Sequence, residues 1–502
     1  MRHQPFVADG PEVVLEADYV VVGTGAGGAS AAVTLARGGA RVLLVEAGPW
    51  RDPDDYAHST YGTLRDMMDD WGATIAVGDA LWPVVQARLV GGTTVINSAI
   101  CVRTPGDVFA EWQRDHGVGP ELADRMWRYQ DQIETELCVE ETAPPSLGRS
   151  NELALAGDRA GAFGGHVINR YAKGCLGSGQ CLQGCRSLRK QSMNLNYIPE
   201  VVEKGGTVLS CAPAEKLLFE GRRAVGVTGH FVHPQSRKRG ASFRARGRRG
   251  VILAASAVHT PLVLLRSGIR GPAVGAGFRS HPGTGVFGVY DEPVDMNRGV
   301  TQGWASTKYR STPGFKMETL AIPMEMAISR LAGGGATLME RIAEFRHLAM
   351  WVHALRARSV GRVSRGLGGR PFIRYGLDAR DMAAFRQGMY HVAQVHVAAG
   401  AKAVLPGVHG LPYKLLPDQI GLIADGPEDP RCYVAILSHL FGGATMGADP
   451  RRAVCDTRGR VYGHERLYVA DASMFPDNIG VNPQHSIMSL AMCVAEDALG
   501  ES

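Results

Sequence analysis

The sequence has little of what marks a disulfide scaffold, a membrane protein or a nucleic-acid-binding protein. Nine cysteines in 502 residues are too few for a disulfide framework, and the formal charge of +5 is spread over scattered basic residues. No apolar run is long enough to span a bilayer, and residues 1–11 lack a secretory pattern. We therefore expect a cytoplasmic protein, without a direct membrane span, that acts on a small molecule and not on nucleic acid. Export alongside a partner that carries a signal stays open.

Glycine, in contrast, is abundant at 64 residues, and its first cluster lies between two apolar runs. Residues 19–22 predict a buried parallel strand, residues 29–37 predict a helix, and residues 41–45 predict a second strand. This order of strand, glycine loop, helix and strand is typical of a dinucleotide-binding unit.

The glycines of this loop have separate roles in such a unit. Gly23 allows the sharp turn, Gly25 lets the backbone approach a diphosphate, and Gly28 lets the helix pack on the strand. The free N–H groups at the start of the helix bind the phosphates. Glu46, at the end of the second strand, is placed to accept a hydrogen bond from a ribose hydroxyl. The loop alone does not separate NAD from FAD.

Five separated segments resemble, in the right order, the signatures of the glucose–methanol–choline (GMC) oxidoreductases. They are residues 88–97, 251–261, 275–282, 439–447 and 471–489. The chain departs from the family pattern at three positions. Ser256 stands where glycine is usual, Val90 where leucine is usual, and His485 where an apolar residue is more common. The matches span nearly the whole chain, and the resemblance implies FAD rather than NAD as the cofactor.

The resemblance also implies an α/β fold with two parts. One is a Rossmann-like FAD-binding domain assembled from separated segments, and the other is an α+β substrate-binding domain with a mostly antiparallel sheet. The expected boundaries are 1–125 for the first FAD-binding part, 126–200 for a cap or cysteine-rich insertion, 201–285 for the second FAD-binding part, 286–430 for the substrate-binding domain, and 431–502 for the FAD-binding and active-site segment.

The family pattern assigns residues to both ends of FAD. The adenosine end is expected at the first glycine loop, the flavin end at the second glycine loop and the C-terminal segment, and Asp471 near the ribityl–diphosphate chain. The full set is Gly23, Gly25, Ala26, Gly28, Glu46, Ala47, Arg88, Gly91, Gly92, Thr93, Asn97, Asp471, Ala472, Asn482 and Pro483.

His439 is the expected catalytic base. Oxidising an alcohol removes a hydride from carbon, which flavin N5 can take, and a proton from oxygen, which the protein must take. A histidine with an ordinary pKa of about 6.5 suits that task. His439 stands where the family places this base, just before Gly442 and Gly443, where backbone can come close to the flavin.

Asn482 is the second expected catalytic residue. The family has histidine or asparagine here to hold the substrate oxygen. The residues themselves predict that Asn482 caps a C-terminal helix whose first residue is Pro483. The positive end of this helix would then face the pyrimidine edge of the flavin. His485, one turn into the helix, could point into the pocket or be packed behind it.

Cys175, Cys181 and Cys185 lie close together in a glycine-rich segment. Three thiolates could hold a [3Fe–4S] cluster. The spacing resembles that of bacterial FAD-dependent glucose dehydrogenases, which pass electrons through such a cluster to a cytochrome subunit. Packing or a disulfide is an equally weighted alternative. Zinc is less suited, because no fourth ligand is evident beyond the distant His166.

We therefore expect FAD-dependent oxidation of a hydroxyl group of a sugar-like or other polyol substrate, with a dehydrogenase favoured over an oxidase. The electron acceptor would be oxygen, a quinone or a redox partner protein. Oxidation of aliphatic or alicyclic alcohols is the first alternative. A flavin-containing lyase on the same fold is the second, and an electron-transfer subunit without its own substrate is a third.

Overall fold

The computed structural model describes residues 2–501, whose strands form two large sheets and one two-stranded sheet. The strands are β1 (His3–Gln4), β2 (Val13–Val22), β3 (Val42–Val45), β4 (Ile75–Val77), β5 (Leu81–Pro83), β6 (Val139–Glu141), β7 (Gly165–Val167), β8 (Asn169–Tyr171), β9 (Thr207–Leu209), β10 (Ala214–Glu220), β11 (Arg223–Val232), β12 (Arg239–Leu253), β13 (Ala276–Val289), β14 (Trp304–Ser306), β15 (Phe315–Thr319), β16 (Leu348–Leu355), β17 (Gly361–Arg365), β18 (Pro371–Arg374), β19 (Ala403–Leu405), β20 (Ile436–Phe441) and β21 (Leu467–Val469).

The helices connect and cover these sheets. They are α1 (Ala26–Arg37), α2 (Thr60–Met67), α3 (Gly106–His116), α4 (Glu121–Glu136), α5 (Pro144–Leu147), α6 (Arg149–Gly161), α7 (Tyr197–Glu203), α8 (Ser256–Arg266), α9 (Met324–Ile328), α10 (Gly335–Ala343), α11 (Ala379–Ala398) and α12 (Gln484–Gly500). Within residues 2–501, none of the helices combines the length and the apolar character that a bilayer crossing needs.

The first sheet has the order β1-β9-β3-β2-β12-β11-β10, with β21 paired to β12. Strands β9, β3, β2, β12 and β21 run parallel, while β11 and β10 form an antiparallel extension. The apolar run of β2 is buried because its neighbours flank it and α1 packs on it. The strands of this sheet come from three distant parts of the chain. This confirms the prediction of a Rossmann-like domain assembled from separated segments.

The second sheet is built around the long strand β13. Strand β13 pairs antiparallel with β16, β17, β19 and β20. The sheet is mostly antiparallel, but β18 pairs parallel with β4. This confirms the predicted second domain type. Strands β4, β5 and β20 belong to this sheet although they lie outside residues 286–430, and β13 crosses the boundary expected at 285/286. The individual domain boundaries stay a prediction.

Candidate active site

The first glycine loop joins β2 to α1 by a turn that larger residues would obstruct. Gly23 has a φ of +101°, and a Cβ at this position would lie 2.2 Å from the Ala254 carbonyl oxygen. A Cβ at Gly28 would lie 2.0 Å from the carbonyl oxygen of Gly23. The sequence therefore needs glycine at both positions for α1 to start directly behind the strand.

The N-terminus of α1 is open for an anion. Gly25 is the capping residue, no side chain bonds to the first turn, and that turn has no acidic residue. A Cβ at Gly25 would meet no atom closer than Gly92 Cα, at 3.9 Å. A Cβ at Gly92 would lie 2.7 Å from Gly25 Cα, so the two glycine loops touch each other. Free N–H groups beside bare backbone form a cradle that suits a diphosphate.

Glu46, which follows β3, holds the first glycine loop in place by hydrogen bonds. Its Oε2 accepts hydrogen bonds from the Thr24 amide at 3.0 Å and the Thr24 hydroxyl at 2.6 Å. Its Oε1 accepts from the amide of Gly48 at 2.8 Å. Burial raises the pKa of the Glu46 carboxyl, while these donors oppose that rise. The contact between Glu46 and a ribose hydroxyl stays a prediction.

The second glycine loop is attached to the first one. The Gly91 amide donates to the Thr24 hydroxyl at 3.1 Å, and Arg88 Nε donates to the carbonyl of Ala47 at 3.1 Å. The Thr93 hydroxyl accepts from a backbone amide within its own loop. Arg88, Gly91, Gly92 and Thr93 therefore lie along the same edge as the cradle.

Asn97 links this loop to the C-terminal helix. Its Nδ2 donates to the Gln484 Oε1 at 2.6 Å, in the first turn of α12. The two segments that the resemblance assigns to the flavin end, about four hundred residues apart in the chain, are therefore in direct contact.

Asp471 ties together three segments behind the cradle. Its carboxylate accepts from the Ser256 amide at 2.8 Å, the Thr260 hydroxyl at 2.6 Å and the Ser473 amide at 2.7 Å. Ser256 has a φ of +91°, which explains why glycine is usual at this position. The carbonyl of Ala472 accepts from the Gly442 amide at 3.0 Å. In this structure Asp471 is a buried organiser of the loops, and its contact with the cofactor stays a prediction.

His439 lies half-buried in β20 and faces a second histidine in β13. Its Nδ1 is 3.0 Å from Nδ1 of His281. The other ring nitrogen of His281, Nε2, contacts Oδ1 of Asn478. The Asn478 amide is fixed because its Nδ2 donates to the Ser280 carbonyl at 2.8 Å.

These contacts favour one protonated nitrogen of His439. Oδ1 of Asn478 can only accept, and it also accepts from the Gly480 amide at 2.9 Å, which favours hydrogen on Nε2 of His281; the same amide lies 3.1 Å from this Nε2 and would suit the other tautomer. With hydrogen on Nε2 of His281, Nδ1 of His439 donates to Nδ1 of His281, which leaves the lone pair of His439 on its Nε2. Burial, reinforced by the charge of Lys316, lowers the pKa of His439 well below 6.5 and keeps the ring neutral. Burial likewise lowers the pKa of His281 well below 6.5.

Asn482 does not cap α12, so that part of the prediction is wrong. Pro483 occupies the capping position, α12 begins at Gln484, and no side chain caps its N-terminus. The Oδ1 of Asn482 instead accepts from the ammonium of Lys316 at 2.5 Å. Asn482 is 8% exposed. A buried ammonium offers the amide oxygen a stronger partner than a backbone N–H group does.

Lys316 and Glu318 form a buried ion pair in β15. The ammonium donates to Glu318 Oε1 at 2.5 Å, and Gln302 donates to Glu318 Oε2 at 3.2 Å. Burial lowers the pKa of Lys316, while the carboxylate of Glu318 opposes that change. This pair was not predicted from the sequence. The available signal was its spacing, because residues two apart in a strand share a face.

His281 and Asn478 were not predicted from the sequence either, although His281 lies within the segment 275–282 that carries part of the resemblance. The structure places His485 outside the reaction site. His485 is fully buried between the Tyr171 hydroxyl at 2.8 Å and Glu134 at 3.2 Å. It is therefore packed behind the helix.

The three-cysteine segment gives no support to the predicted [3Fe–4S] cluster. The guanidinium of Arg170 lies between two of the sulfurs and donates to Cys175 Sγ at 3.4 Å and Cys181 Sγ at 3.1 Å. Cys185 contacts Ser187. Burial raises the pKa of the Cys181 thiol, but Arg170 and Lys190 outweigh it and lower that pKa to about 7. In this structure the partner of these two sulfurs is a buried cation.

One other group in the described part of the chain has the composition of a metal site. Ligand atoms of Cys101, Glu134 and His485 lie within 4.8 Å of one another. Arg103 donates to both carboxylate oxygens of Glu134 at 2.7 Å. Burial raises the pKa of the Cys101 thiol to about 12, which keeps it protonated. These groups satisfy one another without an ion.

Sequence comparison identifies the family to which this fold and site belong. Residues 17–283 and 358–491 match the N-terminal and C-terminal sequence models of the GMC oxidoreductases. The chain belongs to this family and is an FAD-dependent oxidoreductase. The open N-terminus of α1 and the bare backbone of the two glycine loops fit the diphosphate of FAD.

Several relatives resemble nearly the whole chain. An uncharacterized GMC-type oxidoreductase of Mycobacterium tuberculosis is 33% identical over 98% of this chain and 77% of its own. A long-chain-alcohol oxidase of Arabidopsis thaliana is 24% identical over 96% of this chain and 66% of its own. Choline oxidase of Arthrobacter globiformis is 27% identical over 95% and 93%. The fold matches that of formate oxidase from Aspergillus oryzae with a TM-score of 0.73 and 18% identity, covering 98% of this chain and 99% of that one.

Proposed function

We propose that the protein oxidises a hydroxyl group of a sugar-like or other polyhydroxylated substrate to the aldehyde or ketone, with His439 as the general base. The observation that carries the proposal is the hydrogen-bonded series from Asn478 through His281 to His439. It supports a neutral imidazole whose Nε2 lone pair is free to accept a proton.

Different segments of the chain would bind the cofactor and carry out the proton transfer. The first glycine loop and the N-terminus of α1 would hold the diphosphate, and residues 88–97 with the start of α12 would enclose the flavin. When bound, FAD supplies the acceptor for the hydride that leaves the carbinol carbon. His439 Nε2 takes the proton from the hydroxyl, and Asn482 holds the oxygen that becomes the carbonyl. The helix α12 has no acidic residue in its first turn, so its N-terminus favours negative charge.

A polar substrate is favoured by the groups beside Asn482. Lys316, Glu318 and Gln302 form a hydrogen-bonded buried set there, and such groups suit a substrate with several hydroxyls better than an alkyl chain. The likeness to long-chain-alcohol oxidases favours the alternative, an aliphatic alcohol. The two substrate classes are therefore compared in the same experiment.

The acceptor of electrons is the second open choice. The sequence analysis favours a dehydrogenase, and a cluster that passes electrons to a partner protein would support that choice. The structure gives no support to such a cluster, because Arg170 donates to two of the sulfurs, and two of the relatives are named oxidases. These observations favour molecular oxygen as the acceptor. Oxygen consumption compared with reduction of a quinone or dye measures it directly.

The test is anaerobic mixing of the FAD-loaded protein with a panel of alcohols, followed by flavin absorbance. Sorbitol, D-glucose, choline, benzyl alcohol and 1-octanol cover the candidate classes. We expect bleaching with a polyhydroxylated member and formation of one carbonyl per flavin. Fastest bleaching with 1-octanol would overturn the substrate class in favour of aliphatic alcohols. Consumption of a hydroxyl compound without any bleaching would instead show the lyase reaction.

A further inference from the structure

The amide of Asn482 is held in one orientation by a charged partner. The ammonium of Lys316 has only donors, so the atom that it contacts at 2.5 Å must be the carbonyl oxygen Oδ1. Rotation of the amide by half a turn would set Nδ2 against the ammonium, with donor facing donor. The ion–dipole contact therefore fixes Nδ2 on the opposite side of the amide.

The side of Asn482 that Lys316 leaves open is a hydrogen-bond donor. Within residues 2–501 no acceptor lies in hydrogen-bond geometry with Nδ2, although Asn482 is only 8% exposed. An N–H donor is what an oxygen needs when it loses its proton and becomes negatively charged. An amide turned the other way would present its oxygen to that charge and oppose the reaction.

The positive charge of Lys316 is balanced by the carboxylate of Glu318, which the ammonium contacts in addition to Asn482. Lys316 and Glu318 are 2% and 6% exposed in their side chains, and they meet at 2.5 Å. Gln302 holds the second oxygen of Glu318 at 3.2 Å. A buried ion pair of this kind is not needed for stability, because apolar residues of similar volume often serve as well. Its contact with Asn482 points to a role in orientation.

We propose that Lys316 is a positioning residue that acts through Asn482, fixing its Nδ2 toward the substrate oxygen, with Glu318 as the counterion that keeps the ammonium in place. This inference rests on the proposed function, because it assumes that Asn482 holds the reacting oxygen. Two residues of β15 in the second sheet, Lys316 and Glu318, would then contribute to the reaction rate.

The test is a double-mutant cycle with Asn482→Ala on one side. Its other side is the charge-free variant, Lys316→Met with Glu318→Gln, which removes both charges together and leaves none unpaired. The control is Lys308→Met, because Lys308 is an exposed lysine whose ammonium donates to the carbonyl of Ala162. The rate constant of flavin reduction and the half-saturating concentration are measured with the panel alcohol that bleaches the flavin fastest. Bound FAD and the midpoint of thermal unfolding are measured for every variant.

We expect Asn482→Ala to lower the limiting rate by about 10²-fold, the usual effect of losing one such donor. The charge-free variant should lose about tenfold in limiting rate with little change in half-saturation, and it should lose nothing more in the Asn482→Ala background. Lys308→Met should match the wild type. An unchanged rate in the charge-free variant, or an equal loss in both backgrounds, would overturn the inference.

Two further arms keep the outcome decisive. If the charge-free variant loses FAD or unfolds at lower temperature, Lys316→Gln with Glu318→Gln replaces it in the cycle, because it keeps an N–H donor at the position. Crystal structures of the FAD-loaded wild type and variant supply a readout without turnover: a single Asn482 rotamer in the wild type and several in the variant support the inference. Identical rotamers in both would overturn it even if no panel alcohol were oxidised, whereas failure of every alcohol overturns only the proposed function.

Discussion

His281 and His439 face each other through their Nδ1 atoms at 3.0 Å, although 158 residues separate them in the chain. The contact of Asn478 Oδ1 with Nε2 of His281 favours an acceptor at Nδ1 of His281, to which Nδ1 of His439 then donates. The site therefore holds two buried histidines in contact, both with a pKa lowered well below 6.5.

Replacing the base should affect the chemistry and leave the cofactor in place. We expect His439→Ala to lower turnover by about 10²- to 10⁴-fold, the range for loss of a general base, with normal FAD content. Steady-state rates and the ratio of flavin to protein absorbance measure both quantities. His409→Ala is the matched control, because His409 is exposed. Near-normal turnover of His439→Ala would remove His439 from this role.

Loss of the orienting histidine should have a smaller effect. In His281→Phe the ring contact with Phe441, 5.0 Å between centroids, can persist, but the acceptor for His439 Nδ1–H is gone. One net hydrogen bond of about 1 kcal/mol corresponds to a rate loss of about three- to tenfold. The double variant with His439→Ala should be no slower than His439→Ala alone. Additive losses would contradict an action through His439.

The rate should persist into mild acid. Burial and Lys316 lower the pKa of His439 well below 6.5, so the base stays neutral as the pH falls through 6.5. In the unfolded chain the same ring protonates at about 6.5, so acid favours unfolding and stability declines as the pH falls below that value. The acidic limb of kcat/KM should therefore lie below pH 6.5 and move to higher pH in the charge-free variant. A limb at or above 6.5 in the wild type would contradict this assignment.

Ser256 carries backbone strain that glycine would remove. Its φ of +91° costs a residue with a Cβ about 1 kcal/mol or more, while its hydroxyl accepts two long bonds at 3.3 Å from Val258 and His259. We expect Ser256→Gly to raise the free energy of unfolding by about 1 kcal/mol, less a few tenths for the lost bonds. Ser256→Ala keeps the strain and loses the bonds, so it should destabilise. Urea unfolding midpoints give both signs, and equal shifts for the two variants would contradict the strain.

The cysteine segment should hold no iron. Since the Arg170 guanidinium occupies the space between Cys175 and Cys181, protein purified without oxygen should contain neither stoichiometric iron nor acid-labile sulfide. Cys185→Ser should keep its flavin reduction rate, because the Cys185 thiol contacts only Ser187 among the hydrogen-bond partners in residues 2–501. About three irons per chain, with a matching electron paramagnetic resonance signal, would restore the cluster.

The sequence by itself determined the local elements and the class of protein. The run from β2 through the glycine loop to α1 and β3 depends on residues that are neighbours in the chain, and so do the elements at residues 467–469 and α12. Five short segments sufficed for the family. They also pointed to His439 and Asn482, because the identity of a reacting side chain is a local property.

Only the tertiary structure decided how those residues are oriented. Contacts between His439 and His281, and between Asn482 and Lys316, join strands of the second sheet to segments 158 and 166 residues away. The same reason explains one wrong prediction and one that gains no support. A local pattern predicted that Asn482 caps a helix, but the ammonium of the distant Lys316 is the partner of its amide oxygen. A local pattern also offered a cluster at the cysteines, and the structure gives it no support because the buried Arg170 donates to two of the sulfurs.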